Sequence, residues 1–157
     1  MPPKLLVDIS QIDKNNIIFD RDEILKYNPQ NYEMQQLDAV VWYDKEARQA
    51  LGYKDLTENE FWVRGHIPGR PIMPGVIMVE AAAQLSSFCM KRIFGTQGFL
   101  GFAGIKNAKF RGTVVPGERL YLLGEITKIQ SRKFTAVVQG IVNDKMIFEC
   151  EISGMNV

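Results

Sequence analysis

Apolar and polar positions alternate most regularly near the C-terminus. There Met146, Phe148, Cys150 and Ile152 interleave with Lys145, Ile147, Glu149 and Glu151. A period of two marks a half-buried strand. Residues 134–142 read as a second strand, with Asn143-Asp144 as the hairpin turn between the two. Residues 120–127 follow a Pro116-Gly117 turn and are predicted as strand, as are residues 99–110. Nearer the N-terminus, residues 37–43 are rich in β-branched and aromatic side chains. A turn at Asp44-Lys45-Glu46 separates them from another predicted strand at 47–54.

The period changes over residues 75–94, which predict one long helix. Pro74 stands where a helix start tolerates proline, and Gly95 where a helix ends. Such a helix would be about 30 Å long. Val76, Ile77, Val79, Ala81, Ala82, Ala83, Leu85, Phe88, Cys89, Ile93 and Phe94 surround most of its axis. That predicts a buried central helix, with Glu80 and Gln84 on one face. A shorter helix should start at the N-cap Asp20, with Glu23 three residues on, and stop at Asn28-Pro29. One long helix among antiparallel strands predicts an α+β fold, an antiparallel β-sheet wrapped around the helix.

A chain of 157 residues, 46% apolar and 24% charged, suits one domain over 1–157, with 1–19 as a leader. A net charge of +1 argues against nucleic acid or an anionic membrane as a partner held by bulk charge. Cys89 and Cys150 are too few for a disulfide framework and read as core residues. One histidine and no Cys-x-x-Cys argue against a metal site. Glu80, Gln84, Lys91 and Arg92 interrupt residues 76–94, so no membrane span is expected. The opening MPPKLLVDIS lacks a signal-peptide pattern, and a cytoplasmic location is expected.

The chemistry concentrates in residues 65–84, GHIPGRPIMPGVIMVEAAAQ. His66 precedes a loop stiffened by three prolines, and imidazole exchanges protons near neutral pH. Glu80 lies inside an apolar helix, where burial disfavours the charged carboxylate and suits a general acid. The backbone N–H groups of Gly75 and Val76 open the helix and are candidate oxyanion donors. Gln84, one turn after Glu80, is placed to hold its carboxyl group. Taken singly, a loop histidine is more often structural than catalytic, and a buried glutamate also fits a structural pairing with Lys91, Arg92 or an arginine elsewhere. GTQGFLGFAG, residues 95–104, lacks the Lys-Ser/Thr of a phosphate loop and reads as turn and strand.

Taken together, the segment resembles the signature of the 3-hydroxyacyl-[acyl-carrier-protein] dehydratases. In that signature a His-x-Pro-x-x-Pro-x-x-Pro-Gly loop enters a helix carrying an acid and, four residues later, a glutamine. Here these are His66, Pro68, Pro71, Pro74, Gly75, Glu80 and Gln84. Residues 56–60 and 104–120 resemble flanking stretches of the same family. Glutamate at position 80 resembles the type that dehydrates without isomerising. One departure stands out: the family's Pro-His-Arg-Tyr-Pro is here Pro29-Gln30-Asn31-Tyr32-Glu33.

The resemblance implies a hot-dog fold and reversible dehydration of 3-hydroxyacyl thioesters to trans-2-enoyl thioesters in fatty-acid biosynthesis. It implies no metal or redox cofactor, the substrate riding on the phosphopantetheine arm of acyl carrier protein. It also implies a homodimer whose sites take histidine from one subunit and acid from the other, further assembled as a hexamer, a trimer of dimers. On this view Phe88, Phe99, Leu100 and Phe102 are candidates to line an acyl tunnel, with plain core packing as the alternative. Lys106, Lys109, Arg111, Arg132 and Lys133 are candidates for a basic rim facing the acidic carrier. A hot-dog acyl thioesterase and a non-catalytic acyl-binding subunit are the competing readings. Retention of both His66 and Glu80 weighs against each.

Overall fold

The computed structural model describes residues 3–157. Asp20 caps the first helix as expected, its side chain accepting from the Glu23 N–H at 2.9 Å. That helix, α1, is Arg21–Tyr27. Six strands follow: β1 Ala39–Asp44, β2 Gln49–Asp55, β3 Leu100–Phe110, β4 Arg119–Ile129, β5 Lys133–Val142 and β6 Lys145–Asn156. They form one sheet in the order β1-β2-β4-β5-β6-β3, every neighbouring pair antiparallel. The long helix α2, Gly75–Phe88, lies between β2 and β3 in the chain.

The inner face of the sheet closes on α2. Met78, Ala81, Ala82, Leu85 and Phe88 are buried there with Leu120, Leu122, Val138, Phe148, Cys150 and Ile152. Each large side chain so covered contributes roughly 1.5–3 kcal/mol. Residues 3–14 of the expected leader form a strap across the outer face. Ile9 is buried, and Leu5, Leu6, Val7 and Ile12 partly so, against Ala39, Val41, Leu51, Tyr53, Leu123 and Ile141. Gln139 fastens the strap: its Oε1 accepts from the Leu6 N–H at 2.8 Å, and its Nε2 donates to the Lys4 C=O at 3.0 Å. A buried amide on an apolar sheet face needs such partners.

Two expectations about the long helix need correction. The α-helix stops at Phe88 and continues as a π-helical turn, Cys89–Ile93, with the Phe94 N–H bonded to the Cys89 C=O. The wider turn keeps Cys89 and Met90 in the core. Nor is α2 covered all round. Val76 is 74% exposed, and Val79, Glu80, Ala83 and Ser87 are only half-buried. These positions fall on one stripe at helical spacing. The chain's own sheet covers the opposite side.

Edge strand β3 is similarly open. Phe102, Ile105 and Phe110 are exposed, and one ladder edge has no neighbouring strand in the sheet.

Candidate active site

Prolines and glycines shape the loop that carries His66. Ile67-Pro68-Gly69-Arg70 is a turn closed by the Arg70 N–H donating to the Ile67 C=O at 2.8 Å. Proline at its second position and Gly69 at φ +82° at its third mark a type II turn. The Met73 N–H then donates to the Val114 C=O at 2.9 Å, which fastens the loop ahead of the helix. The Ile72 carbonyl faces the imidazole, 2.8 Å from His66 Nδ1. A carbonyl oxygen only accepts, so Nδ1 carries a proton, and in the neutral ring Nε2 is the nitrogen with the lone pair. The His66 side chain is exposed.

Pro74 precedes α2 and supplies no side-chain cap. The N–H groups of Gly75 and Val76 therefore begin the helix without an intrahelical acceptor. A Cβ at Gly75 would lie 2.8 Å from the Phe110 ring, so only glycine allows that close approach.

Glu80 is half-buried, not buried as expected, because it lies at the border of the uncovered stripe. Its Oε1 accepts from Gln84 Nε2 at 2.9 Å. Gln84 is 1% exposed and fully engaged. Its Oε1 accepts from the N–H groups of Gln36 and Leu37 at 2.8 and 3.2 Å, and its Nε2 also reaches the Met34 C=O at 2.6 Å. One amide thus orients the acid and anchors the segment entering β1.

Glu80 opens onto a cavity of about 60 Å³ between α2, β3 and the ends of β5 and β6. Ala83, Ser87, Leu100, Phe102, Phe134 and Gln30 share its wall. Of the four tunnel candidates, Leu100 and Phe102 lie on it. Phe88 does not: it is wholly buried, with ring centroids 5.3 Å from Phe19 and 5.9 Å from Tyr27. Phe99 is half exposed and off the wall. His66 of the same chain is not on the wall either.

The five basic candidates do not form one patch. Lys106 and Lys109 stand on β3 across from Glu151 and Glu149, and Arg111 pairs with Glu149 at 2.9 Å. Arg132 and Lys133 sit beside Asn156 and Met155, near the opposite end of β3.

Sequence reasoning missed the ion pair of Lys54 with Glu60, 3.0 Å apart and almost without solvent contact. Glu60 also accepts from the Thr57 N–H and hydroxyl at 3.0 Å. The Thr-x-x-Glu spacing was its visible signal. Asp38 borders the same region. Burial pushes its carboxyl above the usual range, opposed by Lys54, a backbone hydrogen bond from Asp55 and Arg21.

Comparison with known proteins agrees with this architecture. Residues 28–151 match the model of the FabA-like domain. The 3-hydroxyacyl-[acyl-carrier-protein] dehydratase FabZ of Clostridium botulinum strain Loch Maree is 37% identical over 137 residues, 85% of this chain and 92% of that protein. The FabZ of Clostridium acetobutylicum is 39% identical over 135 residues, covering 85% and 95%. Among solved structures, the dehydratase heterocomplex ApeI:P from Xenorhabdus doucetiae superposes with a TM-score of 0.70 at 11% identity, covering 85% of this chain and 90% of that one. Mouse thioesterase superfamily member 2 superposes at 0.59 with 12% identity, covering 78% and 83%. At such identities the structural likeness speaks for the hot-dog fold alone. Sequence relatives and matched domain together span most of the chain, which belongs to the FabA-like family.

Proposed function

We propose that this protein is a 3-hydroxyacyl-[acyl-carrier-protein] dehydratase of fatty-acid biosynthesis, with His66 as base and Glu80 as acid. The observation that carries this reading is the hydrogen bond from His66 Nδ1 to the Ile72 carbonyl. It leaves Nε2 free to take a proton from C2 of a 3-hydroxyacyl thioester. Negative charge gathers on the thioester oxygen and meets the N–H groups at Gly75 and Val76, with the positive end of the helix dipole. Glu80, held by Gln84, protonates the departing 3-hydroxyl. Water leaves, and a trans-2-enoyl thioester remains. His66 then returns its proton through solvent to Glu80. The steps move only protons and a hydroxyl group, so they call for no redox group. Each positioned proton transfer is worth about 10²–10⁴ in rate.

The site is shared between two copies. The cavity at Glu80 lacks the same chain's His66, while the stripe at Val76, Val79 and Ala83 and the edge of β3 lie open in one chain. Pairing β3 with a second β3 would cover both and present the partner's loop to Glu80. A hexamer of three such dimers fits the resemblance. Acyl carrier protein is the expected donor, and Lys109 and Arg111 flank Phe110, whose ring packs against Gly75 at the helix start. The buried thiols of Cys89 and Cys150 suit a reducing cytoplasm.

Turnover tests the reading. Purified protein should hydrate a short enoyl thioester and dehydrate its 3-hydroxyacyl partner. His66→Ala and Glu80→Gln should each lose at least about 10²-fold in kcat while their circular dichroism stays unchanged. Full activity in either variant would contradict the assignment, as would release of free thiol as the main product.

A further inference from the structure

Residues 56–74 join β2 to α2 with neither helix nor strand among them. A connection of that length inside a compact domain is uncommon unless it serves a function. It carries His66, whose side chain is exposed, so packing alone does not fix the ring. The ring is held by its hydrogen bond to the Ile72 C=O, and that bond joins two parts of one loop. It persists only while both parts are fixed. The far part is fixed where the Met73 N–H donates to the Val114 C=O at 2.9 Å.

The near part is fixed by charge. Lys54 lies on β2 and Glu60 in the loop, their side chains 5% and 10% exposed. Lys54 Nζ is 3.0 Å from Glu60 Oε1, and Oε2 accepts from both the N–H and the hydroxyl of Thr57 at 3.0 Å. Three donors thus fix the carboxylate in direction as well as in distance. Backbone hydrogen bonds then run from Glu60 towards the base. The Glu60 C=O accepts from the Val63 N–H at 3.1 Å, and the Trp62 C=O from the His66 N–H at 2.9 Å, with Trp62 buried in the core. A buried ion pair is a poor source of stability, because apolar residues of similar volume often do as well or better. Direction is what apolar residues cannot supply. We infer that Lys54 and Glu60 are positioning residues, which act through His66 by holding its loop so that the ring keeps its bond to Ile72 and presents Nε2 to the substrate. The inference rests on the dehydratase reading above and adds the groups that aim its base.

The double variant Lys54→Met/Glu60→Leu separates aim from stability. It puts apolar side chains of similar volume in place of the pair, while Asp38 keeps Arg21 at 2.8 Å and the Asp55 N–H at 2.7 Å. Its Tm should stay close to that of wild type. For a short 3-hydroxyacyl thioester, kcat and kcat/KM should fall together by about tenfold or more, since a misplaced base is felt only in the transition state. His66 is the one histidine of the chain, so nitrogen NMR of labelled protein reads its ring without overlap. At a pH where the ring is neutral, wild type should carry the proton on Nδ1, and the double variant should show a mixture of both tautomers. Glu60→Gln keeps the shape of the side chain but brings an amide donor among the donors around it. It should move both readouts the same way, and it serves alone if the double variant does not fold. A folded variant in which either readout stays at its wild-type value overturns the inference, as does a rise in KM at unchanged kcat. A wild type that turns over no thioester overturns the dehydratase reading instead, and the tautomer comparison still decides whether the pair holds the ring.

Discussion

Charge and burial at single residues set the chemistry of this chain. Cys89 and Cys150 are both free and buried, and burial pushes each thiol up to about 12 from an ordinary 9.0. The neutral thiols thus favour the folded state. Below the unfolded value that contribution is complete, and it is lost as pH rises from about 9 towards 12. The urea midpoint of wild type should therefore fall more steeply between about pH 8 and pH 10.5 than that of a Cys89→Ala/Cys150→Ala double variant. Equal slopes would show that the thiols carry no such linkage. His66 and Glu80 are legible in the sequence alone, because a lone histidine and a lone acid stand at family spacing in one segment. The tautomer of His66 is not. It depends on the Ile72 carbonyl, which the type II turn at Gly69 brings round to the ring. Gln30 is equally hidden, since its place at the cavity is set by contacts from α1 to α2 that no local pattern encodes.

Periodicity carries most of the information at the scale of elements. All six strands and both helices form where the sequence predicts them, within a few residues except at the end of β6, which runs on to Asn156, and at the end of α2, whose α-helical part stops at Phe88. Two features escape because they arise from packing. The π turn after Phe88 keeps Cys89 and Met90 inward, a demand of the core and not of local propensity. The open stripe of α2 looks in the sequence like any other apolar face, and only the reach of the sheet distinguishes it. The start of α2 offers a sharp test. Gly75→Ala would place a Cβ 2.8 Å from the Phe110 ring. Overpacking of this kind costs about 1–3 kcal/mol, and it would also shift the N–H groups proposed to face the thioester oxygen. Stability should drop by that amount, read as a lowered Tm, and kcat should fall with it. Adding Phe110→Ala should recover most of the stability. A variant with unchanged Tm and kcat would show that the close approach is unimportant.

Across the whole molecule, the two faces of the sheet have different fates. The outer face is closed by the chain itself, through the strap of residues 3–14 and its clamp at Gln139. The inner side is left incomplete, with the α2 stripe and the β3 edge unpaired in one chain. No helix among the described residues is long and apolar enough to cross a membrane, so the open apolar surface is not accounted for by a helical span. In the proposed dimer a second copy would cover it and bring a histidine to each Glu80. Mixing the two inactive variants tests that claim most directly. His66→Ala and Glu80→Gln subunits, unfolded together and refolded at equal amounts, should regain roughly a quarter of wild-type activity. Half of the dimers would then be mixed, and each mixed dimer would hold one intact His66–Glu80 pair across its interface. A mixture as inactive as its separate parts, with mixed dimers confirmed by mass, would contradict the shared site.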